Sequence, residues 1–149
     1  MNSISAPPAA FPVALAILHS VEITKVTHAL SAGFPSPAED HTSRRIDLNE
    51  VLIKHPEATF LMRVRGASMR EAGIDDGDTV IVDRALQPVH GRVVVAVVDG
   101  DFTVKRLWKR GENVKLQAAN PAYPDITPRD GQTIEVWGVV THAVKNMQG

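Results

Sequence analysis

The stretch GRVVVAVVDGDFTVKRLW, residues 91–108, decides the fold class. Its first half is an almost unbroken run of β-branched residues, and its second half is again rich in β-formers. Between them stands Asp99-Gly100, a pair suited to a type I′ turn, whose two central residues need positive φ. The stretch therefore predicts two antiparallel strands joined by a tight hairpin.

Outward from the hairpin the pattern repeats. ATFLMRV (58–64), TVIVD (79–83), NVKLQA (113–118) and TIEVWGVVTHAV (133–144) are β-branched and aromatic, each bounded by Gly, Pro, Asn or Asp. A short helix is expected from Asp47 to His55, with Asp47 or Asn49 as its cap and Pro56 beyond its end. The expected fold is mainly β: a compact, twisted antiparallel body with one short helix and an extended N-terminal arm. Residues 1–32 are rich in Ala, Pro and Ser, with a short apolar patch at Val13–Leu18, and read as an arm that docks on something. Residues 33–45, GFPSPAEDHTSRR, read as a polar, proline-punctuated linker, and 46–149 as the folded domain. There is no internal repeat.

Composition narrows the function. With 149 residues the chain holds one domain with a real core. It carries 16 Lys+Arg against 17 Asp+Glu and no basic block, so direct binding to a nucleic-acid backbone is not expected. It has no cysteine, which removes disulfides, thiolate metal sites and cysteine nucleophiles and suits a reducing cytoplasm. The N-terminal run AAFPVALAILHS is interrupted by a proline, and no Lys or Arg precedes Lys25. It is also far short of the roughly 20 apolar residues that span a bilayer. A cytoplasmic location is expected. The histidines (His19, His28, His41, His55, His90 and His142) fall singly, so neither a metal site nor a histidine base is expected.

Two segments remain that could carry chemistry. In RGASMREAGIDDGD (65–78) a strand ends at Arg65, and Gly66 permits a sharp turn that leaves Ser68 at its tip. Consecutive backbone N–H groups at such a turn can converge on one spot, as an oxyanion hole requires. On its own the segment is a serine in a tight turn. In FTVKRLW (102–108) alternation puts Phe102, Val104 and Arg106 on one face and Thr103, Lys105 and Leu107 on the other. A lone Lys105 there is a solvated strand lysine. A serine hydroxyl needs a base, and a lysine serves only when neutral. Free lysine titrates near ~10.4, whereas a useful base sits near about 7–8. Desolvation must supply the difference, on the order of 4 kcal/mol. Since the Thr103–Lys105–Leu107 face is not strongly apolar, something must cover it. An apolar arm laid across it would desolvate Lys105 and present its own peptide bond to Ser68. The SAGFPSP stretch (31–37), with two prolines and a glycine, leaves the chain free to do so.

Taken together, SAGFPSPAED (31–40), RIDLNEVLIKHPEATF (45–60), GASM (66–69), GIDDGDTVIVD (73–83), HGRVVVAVVDGDFTVKRL (90–107) and EVWGVVTHAVK (135–145) resemble the UmuD family of SOS mutagenesis proteins. These are relatives of the LexA repressor and its self-cleaving Ser-Lys peptidase domain. Ser68 to Lys105 is 105 − 68 = 37 residues and Gly33 to Ser68 is 68 − 33 = 35, both as in the family. The resemblance implies Ser68 as nucleophile, Lys105 as general base, Thr103 as a residue orienting that base, and the backbone N–H groups of Ala67 and Ser68 as the oxyanion hole. It implies Ala32–Gly33 as the bond cut, so that residues 1–32 are removed. Ala67 stands where the best-known UmuD protein has an acidic residue, a position at which the family varies. The Ala-Gly pair is that of LexA-type repressors, where the same UmuD protein has Cys-Gly.

A LexA-type repressor would carry a helix-turn-helix domain before the bond, and the 32 residues there, with three prolines, are too few for one. A signal-peptidase relative would normally bring a membrane anchor, and no such segment is read. The UmuD-like branch implies a homodimer that cuts itself on meeting a RecA filament on single-stranded DNA. The shortened form would then join a Y-family (UmuC-like) DNA polymerase subunit in error-prone translesion synthesis. No cofactor is implied. A molecule that cuts once needs no large substrate pocket. The competing expectation is a binding module that regulates a polymerase or sliding clamp and never cuts.

Overall fold

A computed structural model describes residues 13–14, 21–27, 29–35 and 43–149. The strands, in chain order, are β1 (Val13–Ala14), β2 (Glu22–Val26), β3 (Ser43–Asp47), β4 (Thr59–Arg63), β5 (Thr79–Asp83), β6 (Val93–Val98), β7 (Asp101–Arg110), β8 (Asn113–Gln117) and β9 (Ile134–Val144). Among the described residues one α-helix, α1 (Leu48–Leu52), follows β3, and short 3-10 turns cover Pro56–Ala58 and Arg70–Ala72. The mainly β expectation holds, and the strand segments read from sequence are strands in the structure. Among the described residues no helix is long and apolar enough to cross a membrane.

The chain divides into two units. The larger contains β1 and the chain from Glu57 onward. Its seven strands form one antiparallel sheet in the order β1-β4-β5-β9-β6-β7-β8. The apolar run of β6 explains why this sheet has two cores. Val95 packs with Val64, Met69, Ile74, Val80 and Val82, whereas Val94 and Ala96 pack with Leu107, Leu116 and Val139. Successive side chains of a strand point to opposite faces, so a strand apolar at every position must be covered on both. The hairpin forms as expected: Asp99 and Gly100 have φ of 48° and 89°, and β6 pairs β7 from Val98↔Asp101 to Val93↔Arg106.

β9 departs from simple alternation. Its register shifts against β6 between Val95 and Ala96, and against β5 between Ile81 and Val82. Bulges of this kind let Val136 and Val139 share one core while Trp137 and Val140 serve the other. Trp137 then meets Phe60 and Phe102 edge-on, with ring centroids 5.2 and 5.6 Å away. Gly138 lies inside this bulged stretch because nothing larger fits: an added Cβ would stand 2.6 Å from Val82 Cγ1.

The smaller unit holds β2, β3 and α1, and here the structure differs from the sequence reading in detail. Glu22–Val26, within the stretch read as an arm, is a strand, and Ser43–Arg45, at the end of the stretch read as a linker, belong to its partner. The β-branched Ile23, Thr24 and Val26 favour extended chain. Arg45 fastens the pair, donating to the Glu22 carbonyl at 2.7 Å and to Thr24 Oγ1 at 3.2 Å. Asp47 caps α1 as expected, accepting from the Asn49 amide at 2.9 Å. The helix stops at Leu52 instead of running to His55, because Ile53 is already extended. Of the apolar patch Val13–Leu18, Val13 and Ala14 pair with Leu61 and Phe60, and residues 15–18 lie outside the described residues.

Gly138→Ala is expected to lower stability by about 1–3 kcal/mol, the usual cost of overpacking a core. Urea unfolding followed by tryptophan fluorescence measures it. Gly33→Ala, at an exposed position where an added Cβ meets nothing within 4 Å, is expected to leave the midpoint unchanged.

Candidate active site

The chain leaves β4 at Arg63 and turns through Gly66, whose φ is 88°. The turn is fixed from two sides. On one, the Val64 amide donates to the Asp78 carbonyl, the Gly77 amide to the Val64 carbonyl (both 2.8 Å), and the Gly66 amide to Asp76 Oδ1 at 2.7 Å. On the other, the Ala119 amide donates to the Ser68 carbonyl at 2.7 Å and the Glu71 amide to the Ala119 carbonyl at 2.8 Å. Asn120 Nδ2 donates to the Ala67 carbonyl at 2.8 Å. Met69, only 1% exposed, anchors the turn in the core. Ser68 is thus held by segments distant in sequence.

The GIDDGD segment that braces this turn is itself tied down. Asp78 is buried, accepts from the Asp75 amide at 2.8 Å, and is ion-paired with Lys145 at the end of β9. The Asp75 amide and the Lys145 ammonium together hold the Asp78 carboxyl below its ordinary value, against the opposing effect of burial.

Lys105 comes from β7, opposite Val94 of β6. Its Nζ lies 2.9 Å from Ser68 Oγ, 3.0 Å from Thr103 Oγ1 and 3.1 Å from the Val104 carbonyl. A neutral amine has two N–H donors and one lone pair. With the carbonyl and the threonine oxygen accepting, the lone pair is left for the Ser68 hydroxyl. Lys105 is only 8% exposed, and burial lowers its pKa from the ordinary lysine value. The arrangement therefore offers a hydroxyl, an amine biased toward neutrality and a threonine that orients it. Among the described residues neither the Ala67 nor the Ser68 amide meets an acceptor, so both are available to a developing oxyanion.

The sequence reading gives no reason to expect a large substrate pocket, and the structure has a cleft beside the serine and the lysine. A cleft of about 560 Å³ runs beside Ser68 and Lys105, with Met62, Val64, Phe102 and Val104 among its apolar lining. Its origin is topological. β8 pairs only with Arg106–Arg110, so the Asp101–Lys105 half of β7 has no strand neighbour on that side among the described residues. Ala32 and Gly33 lie in an exposed bend of the smaller unit. Ala119 and Asn120 escaped sequence reasoning. The signal available was the Asn120-Pro121 dipeptide, which marks a turn and gives no hint of its partner.

The Peptidase S24-like family profile matches residues 25–141. The chain belongs to the Peptidase S24-like family. This S24-like chain is 45% identical over 115 residues to Protein SamA of Salmonella typhimurium, covering 77% of the chain and 79% of that relative. It is 44% identical over 117 residues to Protein MucA of Escherichia coli, covering 77% and 79%. To the LexA repressor of Shewanella woodyi it is 38% identical over 118 residues, covering 78% of the chain but 57% of the repressor. The UmuD-like resemblance read from the motifs is borne out.

The Asp78 geometry contributes to the stability of this chain against acid. A carboxyl whose folded pKa lies below 3.8 stabilises fully above that pH, and the contribution is lost as pH falls through the folded value. Asp78→Asn is expected to lower the urea midpoint at neutral pH and to flatten its fall below about pH 4. Urea titrations of both proteins across that range give the comparison.

Proposed function

We propose that this protein is a self-cleaving serine peptidase that cuts its own Ala32–Gly33 bond, the shortened form then serving SOS mutagenesis. The observation that carries the reading is the 2.9 Å approach of a buried, desolvated Lys105 amine to Ser68 Oγ. A structural lysine has no need of that burial, and a serine nucleophile has no other base beside it among the described contacts.

The chemistry follows from the arrangement. When the Ala32–Gly33 bond enters the cleft, neutral Lys105 takes the Ser68 proton and Oγ attacks the Ala32 carbonyl carbon. The Ala67 and Ser68 amides hold the oxyanion. Protonated Lys105 then gives its proton to the Gly33 nitrogen as the C–N bond breaks. Water, deprotonated by the same amine, then attacks the Ala32 acyl carbon, and Lys105 returns the proton to Ser68 Oγ as residues 1–32 leave. Thr103 and the Val104 carbonyl keep the amine aimed at Oγ throughout.

The partners rest on the resemblance. A homodimer is the acting species, and a RecA filament on single-stranded DNA triggers cutting by favouring the conformation in which the bond occupies the cleft, a shift of population. Residues 33–149 then join a Y-family polymerase subunit for synthesis past lesions.

The test is the intact mass of the purified chain after incubation with RecA, single-stranded DNA and a nucleoside triphosphate. A new species beginning at Gly33 is expected in the wild type and absent from Ser68→Ala and Lys105→Ala. Gly33→Trp is expected to keep the fold and block the cut. With a lysine base, the rate rises with pH as the neutral fraction grows, then levels off above the folded pKa. Because burial lowers that pKa, the midpoint is expected below 10.5. An unchanged mass in the wild type would instead favour a module that binds and never cuts.

A further inference from the structure

Of the side-chain hydrogen bonds that brace the Ser68 turn, one falls on the Ala67–Ser68 peptide itself. Asn120 Nδ2 donates to the Ala67 carbonyl at 2.8 Å, across a sequence separation of 53 residues; this is the shorter of two bonds there, the Arg70 amide donating to the same oxygen at 3.3 Å. The peptide unit that carries this carbonyl also carries the Ser68 N–H. The unit is planar and trans, as every peptide bond described here is, so the two groups point in opposite directions. Holding the carbonyl toward Asn120 therefore holds the Ser68 N–H away from it. The next peptide unit is fixed by the Ala119 amide, which donates to the Ser68 carbonyl at 2.7 Å. With both units flanking Ser68 pinned, its amide cannot rotate independently of its side chain.

We infer that Asn120 is a positioning residue for self-cleavage: its amide group orients the Ala67–Ser68 peptide so that the Ser68 N–H faces the developing oxyanion. The inference rests on the self-cleaving reading and adds a residue to it. Asn120 touches neither the scissile bond nor Lys105 and acts through the backbone. Its other side-chain atom has a separate task, since Oδ1 accepts from the Ala122 amide at 3.0 Å and shapes the turn after β8. The two atoms can be tested apart. Asn120→Asp keeps an acceptor for Ala122 and removes the side-chain donor to Ala67, leaving only the longer Arg70 bond; Asn120→Ala removes both side-chain bonds.

The experiment follows first-order self-cleavage of the full chain by intact mass from about pH 7 to 11, alone and with the RecA filament. Far-UV circular dichroism and thermal unfolding are measured on each variant. Loss of one oxyanion donor costs roughly 100–1,000-fold, so a donor present but no longer aimed is expected to lower the plateau rate about 10–100-fold in both variants. The midpoint of the pH profile is expected to stay at the wild-type value, because Lys105 is untouched. Asn120→Asp cleaving within about twofold of wild type would overturn the inference and assign Asn120 to the turn alone. A fall in Asn120→Asp only would mean repulsion by the new charge, and a moved midpoint would mean action through Lys105; either overturns it. Should Asn120→Ala fail to fold, Asn120→Ser, neutral and without the amide donor, takes its place. A wild type that never cleaves removes the self-cleaving reading itself, an outcome distinct from all of these.

Discussion

A strand that is apolar at every position cannot be satisfied by one core. Val94, Val95 and Ala96 of β6 are at most 2% exposed, and covering both of their faces requires two separate packing layers. Everything near the site is arranged around that demand. β7 pairs with one edge of β6 and brings Lys105 opposite Val94; β9 pairs with the other and bulges so that its side chains can serve both layers. The loop carrying Ser68 is drawn in because Val64, Met69 and Ile74 complete the layer under Val95. Core formation and the meeting of Ser68 with Lys105 are thus one event.

Within that frame the serine turn is held both by its own residues and by others. Local bonds such as the Arg70 amide to the Ala67 carbonyl are joined by bonds to Asp76–Asp78 on one side and to Ala119–Asn120 on the other. An oxyanion site made of backbone N–H groups works only if those groups are already aimed when charge develops. The cross-bracing fixes the turn without placing any acceptor on the Ala67 or Ser68 amide among the described residues.

Burying a lysine with no carboxylate beside it works against stability. Here desolvation accounts for the lowered pKa of Lys105, and among the described residues only neutral oxygens approach its nitrogen. Such an arrangement is expected where a base and not an ion pair is wanted. Lys145 shows the opposite solution in the same sheet: it is more exposed, sits against Asp75 and Asp78, and has its pKa raised.

Period-two alternation, the Asp99-Gly100 turn and the Asp47 cap are local features, governed by residues a few positions apart, and so the strands from Thr59 onward, the hairpin and the helix start were legible in the sequence. The pairing of Ser68 with Lys105 was legible only through motif spacing, because neither residue is unusual in its own segment. The β2–β3 pair was missed: its strands are short and largely exposed, and no hydrophobic face marks them. The bulges in β9, the open edge of β7 that makes the cleft, and the hold of Asn120 on the Ala67 carbonyl belong to tertiary structure alone. Each depends on which atoms meet across tens of residues, a matter settled by packing two cores around β6 and invisible to any short-range pattern. The sequence by itself determined a β fold with a serine in a turn and a lysine on a strand; tertiary packing decided that the two stand 2.9 Å apart, with the lysine buried and its pKa lowered by desolvation.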